Sequence, residues 1–499
     1  MKAGGRMKAG TIAGLVLAGL AAGWGGPALA GRDSITLGMV LEPPNLDPTS
    51  GAAAATDEIV YANLFEGLTR IGPDGSVRPA LAESWEAEQD GRAWLFHLRR
   101  GVSFHDGSAF DAGDVVFSLD RARAPDSTNA QKGLFQGITA VTAIDPATVR
   151  VELKAPDGGF PFKMAWGDAV MVDPASAADL ANHPVGTGPF RLGEWVQGDH
   201  VTLVANDAYW GPRPAIATAT FRFIPDPTAA FAAMMAGDID AFPMYPAPET
   251  LAQFQADPRF RVLVGTTEGE TILAMNHARP PLDNIKVREA IAHAINRDEI
   301  IAGAMFGYGT PIGTHFPPHN PDYVDLTGLS AHDPDRARAL LAEAGVSGLT
   351  LRLALPPTPY ARRGGEIVAA ELAAIGIQTR ITNMEWAQWL EQVFTNADYD
   401  LTIISHVEPM DIGIYARPDY YFRYRNPAFD EVMARLDATT DPAGRSALLR
   451  QAQTLLAQDH ANGWLFQLAR TGVADARLEG LWENAPMPAN DLTEVRWKE

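Results

Sequence analysis

Cysteine is absent from all 499 residues. Disulfide staples, thiolate metal sites and thiol nucleophiles are therefore excluded, as is a lipid anchor of the bacterial lipoprotein type, which is attached through cysteine. Cations are scarce: 40 Lys and Arg stand against 61 Asp and Glu, a formal net charge of −21. That balance repels nucleic acid and anionic membrane surfaces. Beyond the amino terminus no segment reaches the roughly 18 apolar residues of a membrane-spanning helix. Also missing are a Gly-x-Ser-x-Gly elbow, a Gly-x-x-x-x-Gly-Lys phosphate loop and a His-Glu-x-x-His pair, so the commonest hydrolase and nucleotide-binding chemistries have no foothold. There is no short repeat and no long low-complexity linker.

What is present is core-forming material, with 46% hydrophobic residues, 11 Trp and 21 Phe in a chain long enough for two or three domains. The first thirty residues read as an export signal. Lys2, Arg6 and Lys8 precede an apolar stretch from Ile12 to Trp24, and Ala28-Leu29-Ala30 offers small residues for cleavage after Ala30. The stretch is too short and glycine-rich for a membrane anchor. Met7-Lys8-Ala9-Gly10 repeats Met1-Lys2-Ala3-Gly4, so translation starts at Met1 or at Met7. Export without an anchor points to a product free in the periplasm.

Short strands then alternate with amphipathic helices. Trp94, Phe96 and Leu98 share one face at period two, after a turn at Asp90-Gly91. Asp111 caps a helix with Val115, Val116 and Leu119 as its stripe. Thr228 to Met235 is a helix stopped by Gly237, with a strand from Ile239 to Phe242 beyond it. A buried strand, Ile272 to Asn276, leads to a helix carrying Val287, Ala290, Ile291, Ala294 and Ile295. Asp333-Pro334 starts a helix that Gly345 stops. Then follow strand Leu349 to Leu355, a helix through Ile375 ended by Gly376, strand Ile377 to Ile381, helix Trp386 to Phe394, strand Tyr399 to Ser405 and helix Pro442 to Gln458. Such alternation implies an α/β layer structure with both sheet faces covered.

Three groupings invite chemistry and receive plainer readings. Gly186-Thr187-Gly188-Pro189 resembles a phosphate-cradling loop, but Pro189 removes a donor amide, so it reads as a structural turn. His315 and His319 are four apart, but Pro317-Pro318 prevents the helix that would bring them to one face, so they read as plain loop. Asp238 and Asp240 alternate along a strand edge and read as solvated.

An ordered series of segments resembles the peptide/nickel class of extracellular solute-binding proteins, family 5. It begins at Leu81-Ala82-Glu83-Ser84-Trp85-Glu86 and continues through Trp94 to Gly107 and Asp114-Val115-Val116-Phe117-Ser118. Gly186-Thr187-Gly188-Pro189-Phe190, Ala236-Gly237-Asp238-Ile239-Asp240, Pro281 to Ile291 and Arg338 to Gly345 follow in family order. The resemblance implies a two-lobe periplasmic binding protein fold, type II-like of cluster C, with an extra subdomain in lobe I. It places lobe I at residues 31–270 plus 470–499, the extra subdomain near 66–184, and lobe II at 271–469. The implied function is non-enzymatic: a monomer without cofactor, closing its lobes on a di- or short peptide or a related amine-bearing metabolite and delivering it to the permease of an ABC importer. A nickel chelate, glutathione-like thiol, opine, betaine or oligosaccharide is the alternative within the class. A secreted hydrolase is the rival outside it, and a sensor or chaperone on the same fold is a third reading.

Peptide-binding relatives hold the ligand's α-amine with an acid in the loop after a lobe II strand, here matched by Tyr399 to Ser405. The following loop, His406 to Tyr415, offers Glu408 nearest the family's amine-binding position and Asp411 near a second acidic one. His406 stands where tryptophan is common, and the usual aspartate before the acid-proline pair is missing. The plainer reading makes Glu408 a loop hydrogen-bonder and Asp411 a helix N-cap. Trp386 is the expected pocket aromatic, Trp389 core. Glu42 and Asn45 sit in a loop matched to the cleft, and Tyr415 and Arg417, with Tyr420 and Tyr421, form a cluster suited to stacking or clamping a carboxylate.

Overall fold

Proline and glycine punctuation places most element boundaries. Asp333 accepts a bond from the Arg336 amide, Pro334 opens the helix Pro334–Glu343, and Gly345 at φ +69° turns the chain away. Asp441 caps Pro442–Gln458 in the same way. Asp111 and Asp114 complete a reciprocal capping box on Ala112–Arg123, and Gly237, left-handed at φ 79°, ends Pro227–Ala236.

The computed structural model describes residues 32–51 and 53–498. The export signal, its cleavage after Ala30 and the choice of start codon lie outside the described residues. No helix among the described residues is long and apolar enough to cross a membrane.

Eleven strands form one mixed sheet, and ten of them lie in the order 378–383, 350–355, 401–406, 260–275, 463–475, 241–242, 34–39, 218–223, 200–205, 190–196. Strand 350–355 runs parallel to both of its neighbours, with the helix Pro359–Ala374 as crossover, and 34–39 runs parallel to 218–223. The two longest strands, Phe260–Met275 and Gly463–Asp475, pair antiparallel at the centre. A separate antiparallel meander orders 82–88, 93–98, 148–153 and 138–145.

Contacts join Asp33–Lys498 into one unit, yet its apolar core is divided. One set of buried clusters draws on residues 35–263 and 473–495, including a cluster over the meander that gathers residues 68–171. The other set draws only on residues 272–466. The two long strands carry the chain from the first set to the second and back.

Three local readings need correction. Trp386 to Phe394 is not one α-helix: a single α-turn, Trp386–Trp389, passes into a π-turn, Leu390–Thr395. The wider turn lets residues five apart meet, and the Trp389 and Phe394 rings stack at 6.2 Å. The strand at Ile239 shortens to Ala241–Phe242. Asp240 is not solvated: it is 5% exposed and its Oδ2 accepts the Thr36 amide at 2.8 Å.

The Gly186-Thr187-Gly188-Pro189 turn packs flat on a neighbouring segment. A Cβ on Gly188 would lie 2.3 Å from the Asn63 carbonyl oxygen, so only glycine permits this approach. Thr187 donates to Glu66 instead of facing a ligand.

Candidate functional site

The central strand pair is irregular at its midpoint. Thr266 pairs with Ala469 and Glu270 with Gln467, so two extra residues are accommodated between them on one strand. This bulge carries Glu268 and Glu270 into the interior, where they are 7% and 2% exposed. Glu268 is paired: His319 Nε2 lies 2.7 Å from Glu268 Oε1, and His319 Nδ1 lies 2.8 Å from the Thr266 hydroxyl. Thr266 in turn donates to Asn484 Oδ1. Glu270 is different, because its Oε2 is buried with no hydrogen-bond partner. Burial pushes its carboxyl well above the ordinary value, and Asp411, Glu268 and Glu408 add repulsion.

The loop after strand Leu401–His406 delivers Asp411 to the same place. Its Oδ1 lies 2.7 Å from His315 Nε2 and its Oδ2 lies 3.6 Å from His406 Nδ1. Burial works to raise this carboxyl, but the charge and hydrogen bond of His315, with the charge of Arg417, hold it below the ordinary range. Burial pushes the His406 imidazole down to about 4, so at neutral pH it is an uncharged neighbour. Its Nε2 lies 2.9 Å from the Tyr421 hydroxyl. His315 is backed at 3.3 Å by the Tyr415 hydroxyl, which accepts from Asn462.

Asp411 and His406 thus converge with three groups that the sequence reading did not place in a site: Glu268, Glu270 and the histidine pair His315 and His319. The histidines do lie in a loop, but each is buried against a carboxylate. One signal was available for the glutamates, namely two acids alternating about Gly269 within an otherwise interior strand.

The other candidates are disposed as follows. Glu408 is exposed and accepts from the Val407 amide at 3.2 Å. Asp411 is not a helix N-cap; it is the first residue of the 3-10 turn Asp411–Ala416, which Met410 precedes. Tyr415 is no surface clamp, being 1% exposed within the core beside Phe422 and Trp464. Arg417 is exposed, and Tyr421 is buried. Trp386 is exposed and meets the buried Trp389 edge-on, while Trp389 donates to the Thr402 hydroxyl. Glu42 is occupied by Trp195 Nε1 and the Gly198 amide, which tie its loop to the end of strand 190–196, and Asn45 Oδ1 by the Asp47 amide of its own loop.

Among the described residues two triples bring potential metal-ligand atoms within 4.8 Å of one another, Glu270–His315–Asp411 and His406–Glu408–Asp411. In the first, His315 Nε2 bonds Asp411 Oδ1 at 2.7 Å, which ties two of the three residues into one hydrogen-bond network. What that network leaves open is acceptor capacity on Glu270 and Asp411, neither of which bonds a lysine or arginine among the described residues. An ammonium, with three donors and one charge, matches that deficit. Cavities flank the loop on two sides: Pro409 lines one of about 140 Å³, and Met410 one of about 680 Å³.

Residues 76–425 match the profile of the bacterial extracellular solute-binding proteins, family 5. The dipeptide-binding protein of Escherichia coli K12 is 30% identical over 474 residues, covering 83% of this chain and 85% of that protein. The glutathione-binding protein GsiB of Pectobacterium atrosepticum is 30% identical over 485 residues, 91% of each chain. The solved structure of HbpA2 from Haemophilus parasuis superposes with a TM-score of 0.85 at 23% identity, over 93% of this chain and all of that one.

Proposed function

The chain belongs to the family 5 bacterial extracellular solute-binding proteins, a family of transport components and not of enzymes, and from that premise we propose that it captures a short peptide or related amine-bearing metabolite in the periplasm for an ABC importer. It acts as a monomer, with lobe I at 31–270 plus 470–499, the extra subdomain near 66–184, and lobe II at 271–469. The division of the apolar core at the two long strands supports these boundaries. Ligand touches both lobes, stabilises the closed arrangement, and the membrane permease takes up that form.

The observation that carries the ligand class is the cation deficit at the strand crossing. A buried, unpartnered Glu270 Oε2 sits beside an Asp411 held in its ionised form. Asp411, not the exposed Glu408, is the residue assigned to the ligand's ammonium, with Glu270 behind it. Dipeptides and glutathione, for which two of the relatives are named, each carry an α-amine.

Calorimetric titration with Ala-Ala, Ala-Ala-Ala, N-acetyl-Ala-Ala, glycine betaine, nickel-histidine and cellobiose tests the reading. Free-amine peptides bind, and Asp411→Asn weakens them by about 10- to 100-fold, the loss expected for a hydrogen bond to a charged group. Glu408→Gln changes affinity by less than about threefold, as an exposed carboxylate should. Equal binding of the N-acetylated peptide, or binding of betaine or cellobiose alone, overturns amine capture and keeps the family.

A further inference from the structure

A second pair of acids, each with one buried carboxylate oxygen, lies outside the group at the strand crossing. Asp57, in the helix Ala54–Val60, and Asp168, in the turn Gly167–Ala169, both line the cavity of about 140 Å³ that Pro409 also borders. Asp168 is only 8% exposed. In each residue Oδ1 is buried and lacks a hydrogen-bond partner. No lysine or arginine is among the cavity's lining residues. Asp57 packs against the segment that carries Asp168: a Cβ on Gly167 would lie 2.5 Å from Asp57 Oδ1. Burial, then the charge of Asp168, drives Asp57 well above its ordinary value, and burial drives Asp168 up to about 6.

Two buried acceptors without a partner are costly, and neutral side chains would serve packing better. The rest of the wall says what would satisfy them. Phe162 and Trp166 meet edge-to-face at 6.4 Å, and Ile71, Met487 and Pro409 complete an apolar sleeve. A hard metal ion requires six or more oxygen ligands, far more than this sleeve holds. An organic cation on an apolar stem uses all of it: charge on the carboxylates, stem and cation face on the rings.

We propose that this cavity is a side-chain subsite for the ammonium or guanidinium of a basic residue, with Asp57 and Asp168 as its anions and Phe162, Trp166 and Met487 along its stem. The assignment rests on the reading of the ligand as a short peptide held by its amine at Asp411. Pro409 belongs to the loop that carries Asp411 and also lines this cavity, which links the two places. The preferred ligand is then a peptide with a lysine or arginine, not merely any dipeptide.

The test titrates the mature protein with Ala-Lys, Lys-Ala and Ala-Arg against Ala-norleucine and norleucine-Ala, which keep the stem and lose the charge. At least one basic peptide binds tenfold or more tighter than its norleucine counterpart. That ratio falls to near unity in Asp168→Asn and in Asp57→Asn, two independent and nearly isosteric changes; melting temperatures verify that each variant is folded. Equal affinities in the unaltered protein, or a ratio that survives both substitutions, overturn the subsite. If no dipeptide binds, the amine-capture reading fails separately, and cadaverine and agmatine alone decide the subsite by thermal shift. A shift abolished by Asp168→Asn supports it; no shift, or a shift with calcium chloride and neither amine, overturns it.

Discussion

Replacing Glu270 by glutamine removes one ionisable group from the bulge and leaves its shape. The glutamate is buried, its Oε2 is unpartnered, and its proton is held well above the ordinary value of 4.5. In the unfolded chain the same carboxyl ionises near that ordinary value. Between the two, the folded state carries a proton that the unfolded state has lost, so stability falls as pH rises. One proton corresponds to a slope of about 1.4 kcal/mol per pH unit. The Glu270→Gln protein lacks that slope. Its advantage over the unaltered protein should therefore widen as pH rises from 5 to 7, by no more than that slope per unit. Urea unfolding at pH 5, 6 and 7 measures this directly. A ligand ammonium reverses the preference by favouring the ionised carboxylate, so calorimetry in buffers of differing ionisation enthalpy should register proton release by the unaltered protein and less by the variant. A gap between the two proteins that stays constant across this pH range would refute the reasoning, because Glu270 would then be ionised throughout.

Two further outcomes follow from burial alone. Trp389→Ala should cost about 3–5 kcal/mol through the cavity it leaves and the lost bond to Thr402, whereas Trp386→Ala should cost less than about 1 kcal/mol; paired urea midpoints separate them. Glu371 has its carboxyl raised by burial to about 8, with Oε2 buried and unpartnered and Oε1 accepting the Asn296 amide. Stability is lost as pH climbs from 4.5 towards 8, so Glu371→Gln should gain about 2–3 kcal/mol at pH 8 after allowance for partial solvent screening, and nothing at pH 4.5. Thermal melts at the two pH values decide it.

Elements with chemical punctuation were legible in the sequence. The helices beginning at Pro334 and Pro442 sit where an aspartate-proline pair predicts, and Trp389 is the core aromatic it was expected to be. The π-turn at Leu390 was not legible, because apolar spacing of three and four hides a switch to five until the rings stack. Asp411 was singled out only through resemblance of its loop. Its partners lie far away in sequence: His315 is 96 residues distant, and Glu270 reaches it through a bulge that no local pattern announces. Asp57 and Asp168 are separated by more than a hundred positions and sit in short elements with no charge pattern, so their pairing belongs wholly to the tertiary structure.

The antiparallel pair at the sheet's centre also bears on how such a chain can be rebuilt. Residues 267–468 leave and return through positions that face each other, Thr266 opposite Ala469. A segment with adjoining ends is an insertion in the topological sense, and its host strands would be closed by an ordinary hairpin turn. Thr266 and Ala469 are therefore natural points at which to excise that segment, exchange it with that of a relative, or splice in a reporter. Because no cysteine occurs anywhere, a pair of introduced thiols flanking that junction would carry labels at those two positions alone.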